Sequence, residues 1–155
     1  MSTPSERLAE LGLALPPVAA PQAAYVPAVR TGDYVYVSGQ LPFVDGNLQA
    51  VGKVGDAVSA EEAAALARLC ALNGLAAAAS VAGAGGLDAI TRIVKVTGFV
   101  ASVPSFTGQP GVINGASELF IEVFGEAGRH ARSAVGLAVL PLDSPVEVEL
   151  IAEVG

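Results

Sequence analysis

From Arg132 to Val154 the chain reads RSAVGLAVLPLDSPVEVELIAEV, two alternating runs around Leu142-Asp143-Ser144-Pro145. Period-two alternation on both sides of a turn signal constrains the fold most: it predicts two strands whose faces differ in character. In the first run Ser133, Val135, Leu137 and Val139 project one way, and Arg132, Ala134, Gly136 and Ala138 the other. In the second, Val146, Val148 and Leu150 share a face opposite Glu147, Glu149 and Ile151. The bulky apolar side of each strand suits a core. The other side of the first sets one arginine above Ala, Gly and Ala, which leaves space beside a fixed positive charge, as a small anion requires.

Upstream, Ser5 to Leu13 reads as a short helix with Ser5 as N-cap and Leu8 and Leu11 at helical spacing. Pro16, Pro17 and Pro21 then give an extended linker. Tyr25–Arg30 and Asp33–Ser38 are predicted strands flanking Thr31-Gly32, a hairpin signal. Gly39 to Val58 is rich in turn residues, including Asp45-Gly46-Asn47, and reads as a long loop with room for a short strand. Ser59-Ala-Glu-Glu62 is a capping-box pattern that opens a helix running to about Val81. That helix is apolar nearly all round and mostly alanine. A membrane span would hold Arg68 and Asn73 in mid-bilayer, so a buried helix packed on a sheet is the expectation, with Cys70 a small core residue. Gly83-Ala-Gly-Gly86 follows a helix and precedes a strand, the reverse of a phosphate loop, and so marks a helix stop. Ile90–Ser102 alternates as a strand, and a second helix spans about Gly111 to Gly125, with Val112, Leu119 and Val123 toward the core and Asn114 in its first turn.

The order β-β-α-β-α-β-β predicts an α+β sandwich: a mostly antiparallel sheet with two helices on one face. Residues 1–155 read as one domain, with 1–24 as an N-terminal extension carrying the short helix. The other sheet face is partly apolar and calls for a second chain. A hydrophobic fraction of 52% agrees with burial beyond the monomer's own core. The net charge of −7, with eight scattered Lys and Arg, argues against a nucleic-acid partner. One cysteine, and an N-terminus without a basic start or a continuous apolar run, make the cytoplasm the expected compartment.

These pieces resemble the Rid (YjgF, reactive intermediate deaminase) family from Tyr25 onward. The resemblance rests on Tyr25-Val26, Val37-Ser38-Gly39-Gln40, Asn114 ahead of Glu118-Leu-Phe120, Ala131-Arg132-Ser133, Leu140-Pro141, and Glu147-Val-Glu149 with Ile151-Ala152. It implies a chorismate-mutase-like fold and a homotrimer with ligand clefts between subunits. The implied activity is hydrolysis of small enamine or imine acids such as 2-aminoacrylate to a 2-oxo acid and ammonia, with no metal or organic cofactor. The family's carboxylate-binding arginine falls on Arg132 and its water-positioning glutamate on Glu147. Tyr25, Ser38, Gly39 and Asn114 fall on cleft-lining positions, and Glu149 matches a second acid of the same strand. The sequence departs from the pattern at Ala134, where the deaminase archetype has a cysteine, and in its N-terminal extension and 46–58 loop; these features resemble a divergent branch.

Plainer readings of the same residues exist. Arg132 can pair structurally with Glu147 or Glu149; the two glutamates can line a solvated strand face. Ser38 suits a strand-end hydrogen bond, Tyr25 a hairpin aromatic, and His130, the sole histidine, a surface position without metal-binding partners. A non-catalytic trimer that binds small carboxylates is the alternative function, favoured by Ala134. An endoribonuclease or translation inhibitor, a label the family has also carried, is disfavoured by the acidic balance.

Overall fold

The computed structural model describes Met1–Gly155. Its five-stranded sheet runs in the order β1 (Ala28–Thr31), β2 (Tyr34–Gln40), β7 (Val146–Val154), β5 (Ile90–Ala101), β6 (Ala131–Leu137). Every neighbouring pair is antiparallel except β5 and β6. Helices α2 (Ala60–Val81) and α3 (Gln109–Phe124) cover one face, the α+β sandwich expected. A two-stranded hairpin, β3 (Phe43–Val44) and β4 (Asn47–Leu48), occupies the long loop, turned by Asp45 and Gly46 at positive φ of 50° and 78°. Two successive positive-φ residues are what a tight hairpin turn requires.

The two C-terminal strands form as expected but are not neighbours. β5 lies between them, because α3 carries the chain from β5 to β6 as a parallel crossover and residues 138–145 then pass over to the sheet centre. The faces of β6 are also reversed from the expectation. Val135 is 41% exposed and Val139 63%, while Arg132 and Ala134 lie level with Val96, Gly98, Val148 and Leu150 on the helix-covered side. The small residues of β6 are there because α3 comes close, not to leave a vacancy. A Cβ on Gly136 would stand 2.8 Å from Gln109 Nε2, and one on Gly98 would collide with Ile113. In β7 the expected division holds: Val146, Val148 and Leu150 are buried.

Elsewhere the local chemistry explains the boundaries. The first helix, α1 (Pro4–Glu10), is capped by Thr3, not Ser5: Thr3 and Glu6 form a reciprocal capping box, and Pro4 fits the first turn, where no N–H is needed. Ser5 is used otherwise, its N–H and hydroxyl donating to Asp88 at 2.8 and 2.7 Å and pulling that carboxyl below its usual range. Ser59 caps α2 by accepting from Glu62 N. The helix ends at Val81, with Gly83 at φ 110° just beyond, the helix stop expected. The strand predicted from Tyr25 begins only at Ala28, so Tyr25 lies ahead of β1 in a loop. β5 is bulged twice, between Ile90 and Arg92 and between Ile93 and Lys95. The bulges interrupt the strict alternation read from sequence and bring Ile93 into the core with Ile90 and Val96.

By length and composition α2 could cross a membrane, yet here it packs on the sheet. Asn73 donates to the carbonyls of Leu41 and Phe43 at 3.1 and 3.0 Å, and Arg68 pairs with Glu122 of α3 at 2.7 Å. Cys70 is fully buried among core residues, and burial pushes its thiol well above its ordinary range. α3 adds Val112, Ile113, Leu119, Phe120 and Val123, all essentially inaccessible. Each such side chain contributes roughly 1.5–3 kcal/mol through burial.

Candidate functional site

The predicted site residues fall into two groups on opposite faces of the sheet. The first is built around Arg132, near the start of β6. Its Nη1 donates to Asn114 Oδ1 at 2.9 Å and to Ser117 Oγ at 3.2 Å, and its Nη2 donates to the Pro110 carbonyl at 3.2 Å. Asn114 and Ser117 are one turn apart on the same side of α3, so the helix presents both to the guanidinium. No carboxylate pairs with Arg132: the ion pairs of the chain are Lys53–Asp143, Arg68–Glu122 and Arg129–Glu126. The reading of Arg132 as a structural partner of Glu147 or Glu149 is therefore overturned, because both glutamates project from the far face of the sheet. What remains is a half-buried cation oriented by neutral acceptors only. Such a group keeps its charge available for an anion, and its planar fork suits a carboxylate. Ala134, two residues further along β6, lies on the same side and packs against the core.

The second group is built around Glu147 of β7, level with Phe99 and Val135 on the open face. Tyr25, Gly39 and Glu147 line one cavity of about 260 Å³, whose other walls include Ala20, Leu41 and Phe43. The glycine is required by the glutamate: a Cβ at Gly39 would come within 2.8 Å of Glu147 Cδ and closer to Oε1. The bulge between Val37 and Gln40 sets that glycine against the carboxylate. Burial, and then the charge of Glu149, push the Glu147 carboxyl above the usual carboxylate range. Ser38 borders this group but is occupied, its hydroxyl donating to the Val26 carbonyl at 2.6 Å, the strand-end bond expected of it. That bond ties β2 to the segment carrying Tyr25. The Tyr25 hydroxyl accepts from Gln22 N at 3.1 Å. Ser38 and Glu149 face a neighbouring cavity of about 270 Å³, with Tyr36 and Lys95.

Three features of the site were missed in the sequence. Ala19 to Ala23 of the N-terminal extension form part of the wall of the Glu147 cavity, and nothing in their composition marks them. Ser117 was legible in principle, three residues after Asn114 on the same helix. His130 is not the surface residue expected. It is half-buried, edge-on to Phe120 at 5.7 Å, with Nδ1 2.6 Å from the Gly128 carbonyl and Nε2 2.8 Å from Ser117 Oγ. No three His, Cys, Asp or Glu side chains converge anywhere in the chain as metal ligands would.

Comparison with known proteins places this geometry among relatives. Residues 5–154 match the family described as "YjgF/chorismate mutase-like, putative endoribonuclease". The chain is 46% identical to the protein TCP17 of Trypanosoma cruzi over 147 residues, covering 94% of this chain and 91% of that one. It resembles the crystal structure of Atu1372 from Agrobacterium tumefaciens at 49% identity and a TM-score of 0.88, covering 98% of this chain and 92% of that one. It also resembles Escherichia coli TdcF with bound serine, at 28% identity and a TM-score of 0.62, covering 91% and 94%.

Proposed function

The chain belongs to the YjgF/chorismate-mutase-like family, and from that premise we propose that it hydrolyses small enamine or imine acids of the 2-aminoacrylate type to 2-oxo acids and ammonia. The observation that carries the proposal is the unpaired Arg132 guanidinium, held by Asn114, Ser117 and the Pro110 carbonyl with no carboxylate beside it. A substrate carboxylate would supply the missing anion. In one chain Arg132 and Glu147 stand on opposite faces of the sheet, so a single chain does not make a complete site. In the proposed trimer, the Arg132 group of one protomer meets the Glu147 cavity of the next.

The chemistry asked of the protein is modest. 2-Aminoacrylate tautomerises to its imine, whose carbon is already electrophilic. Arg132 fixes the carboxylate and so the orientation of the C=N bond. Glu147 takes a proton from water as its oxygen bonds to that carbon. The same proton passes to nitrogen, giving a carbinolamine. Glu147 then takes the carbinol O–H proton as the C=O bond forms and delivers it to nitrogen, the C–N bond breaks, and ammonia leaves with the 2-oxo acid. A general base works best with a pKa raised toward the working pH, the direction in which burial and Glu149 push Glu147.

A second reading, non-catalytic binding of small carboxylates, is favoured by Ala134, which supplies no thiol, and by TdcF, crystallised with serine, a small carboxylate. The endoribonuclease wording of the family description is disfavoured by a net charge of −7 with only eight Lys and Arg. The deciding experiment measures ammonia and 2-oxo acid release from 2-aminoacrylate generated in place, with wild type and Arg132→Ala side by side. Acceleration that Arg132→Ala abolishes supports a deaminase. Saturable 2-oxo acid binding without acceleration supports the binder, and full activity in Arg132→Ala refutes the role given to the arginine.

A further inference from the structure

The deaminase reading leaves His130 unused, yet the hydrogen bonds around it have only one consistent direction. Nδ1 lies 2.6 Å from the Gly128 carbonyl, an acceptor only, so Nδ1 carries a proton. In the neutral ring Nε2 is then an acceptor, and the Ser117 hydroxyl 2.8 Å away donates to it. With its hydrogen committed, Ser117 Oγ turns lone pairs toward Arg132 Nη1 at 3.2 Å. Phe120, edge-on at 86°, fixes the plane of the ring. Without an acceptor at Nε2, the Ser117 hydrogen is free to turn toward the guanidinium or a helix carbonyl, and the third acceptor of the Arg132 fork loses its aim.

We propose that His130 is a positioning residue for Arg132, acting through the Ser117 hydroxyl to orient the guanidinium for a carboxylate ligand. The proposal rests on the reading of Arg132 as the carboxylate anchor. Burial and the neighbouring Arg132 charge both disfavour the imidazolium and so favour the neutral ring the relay needs. Glu126 and Arg129, the charged residues of the adjoining turn, pair with each other at 2.9 Å.

The test compares wild type, His130→Phe, His130→Gln, Ser117→Ala and the double variant His130→Phe/Ser117→Ala in 2-aminoacrylate turnover and in titration with 2-oxobutyrate. His130→Phe keeps an aromatic ring against Phe120 and removes the acceptor. It and Ser117→Ala are each expected to raise KM and the 2-oxobutyrate Kd about tenfold, the scale of one lost hydrogen bond to a charged group, with kcat changed by less than about threefold. The double variant is expected to lose no more than either alone. His130→Gln, whose amide oxygen can accept from Ser117, recovers most of the affinity. Because the chain has a single histidine, its ring nitrogen resonances belong to His130, and the unprotonated Nε2 is told from the protonated Nδ1 by its far downfield shift. The Nε2 resonance is expected to move on saturation with 2-oxobutyrate in wild type and to stay still in Ser117→Ala under the same ligand occupancy. The proposal is overturned if His130→Phe binds as tightly as wild type, or if His130→Gln binds no better than His130→Phe. Wild type that neither binds 2-oxobutyrate nor accelerates turnover refutes the anchor reading itself. The resonance shift produced by Arg132→Gln in the free protein then still reports the side-chain chain, which separates the two failures.

Discussion

At Gly39 a single missing Cβ decides where a carboxylate sits. Gly39→Ala would drive a methyl into Glu147, but the far end of a glutamate side chain is free to yield, so the fold survives while the carboxylate moves. The expected result is a thermal midpoint close to wild type with activity reduced on the order of 100-fold, the scale of a catalytic group displaced by about 1 Å. In the proposed mechanism Glu147 also sets the acid limb of the rate. That mechanism uses its base form, so kcat/KM is expected to fall as pH drops through its pKa, at a higher pH than for an ordinary glutamate. Glu149 contributes to that upward shift, so Glu149→Gln is expected to move the limb to lower pH. A pH–rate profile unchanged in Glu149→Gln would refute the coupling.

Among the elements, α3 holds the Arg132 group in place, and its own placement depends on glycines. Gly115 touches α2 so closely that a Cβ would lie 2.8 Å from the Ala64 carbonyl carbon and nearer still to its oxygen. That neighbour is helix backbone, which cannot swing aside, so Gly115→Ala has to separate the two helices. A loss of at least the 1–3 kcal/mol typical of overpacking is expected in chemical denaturation, roughly. Since Asn114 is the adjacent residue, 2-oxo acid affinity should fall with it. Stability within about 0.5 kcal/mol of wild type would contradict the packing described.

In the whole molecule the open sheet face is the unfinished part. Val29, Tyr34, Tyr36 and Val135 stand 41–51% exposed on it, an apolar surface that a second copy would cover. The proposed trimer predicts a solution mass three times the 15.4 kDa of one chain. Tyr36→Glu, placing an uncompensated charge on that face, is expected to give folded monomers by sedimentation, with turnover lost because Arg132 and Glu147 no longer share a cleft. A Tyr36→Glu monomer that retained full turnover would refute the shared site.

The sequence by itself determined the elements and the chemistry that depends on neighbours along the chain. The capped helix from Ser59, the stop at Gly83, the strands of period two, and the family to which Arg132, Asn114 and Glu147 point are all written in residues close together. Tertiary structure decided what depends on residues far apart. It placed β5 between β6 and β7, because a helix crossover leads to a parallel neighbour. It turned the Arg132 side of β6 toward α3, because small residues suit a close helix better than open space. It also brought His130 to Ser117 and the N-terminal extension to Glu147. A period-two pattern records that two faces differ but not which of them another element will cover, so Arg132 and Glu147 read as companions in the sequence and fold onto opposite sides of the sheet.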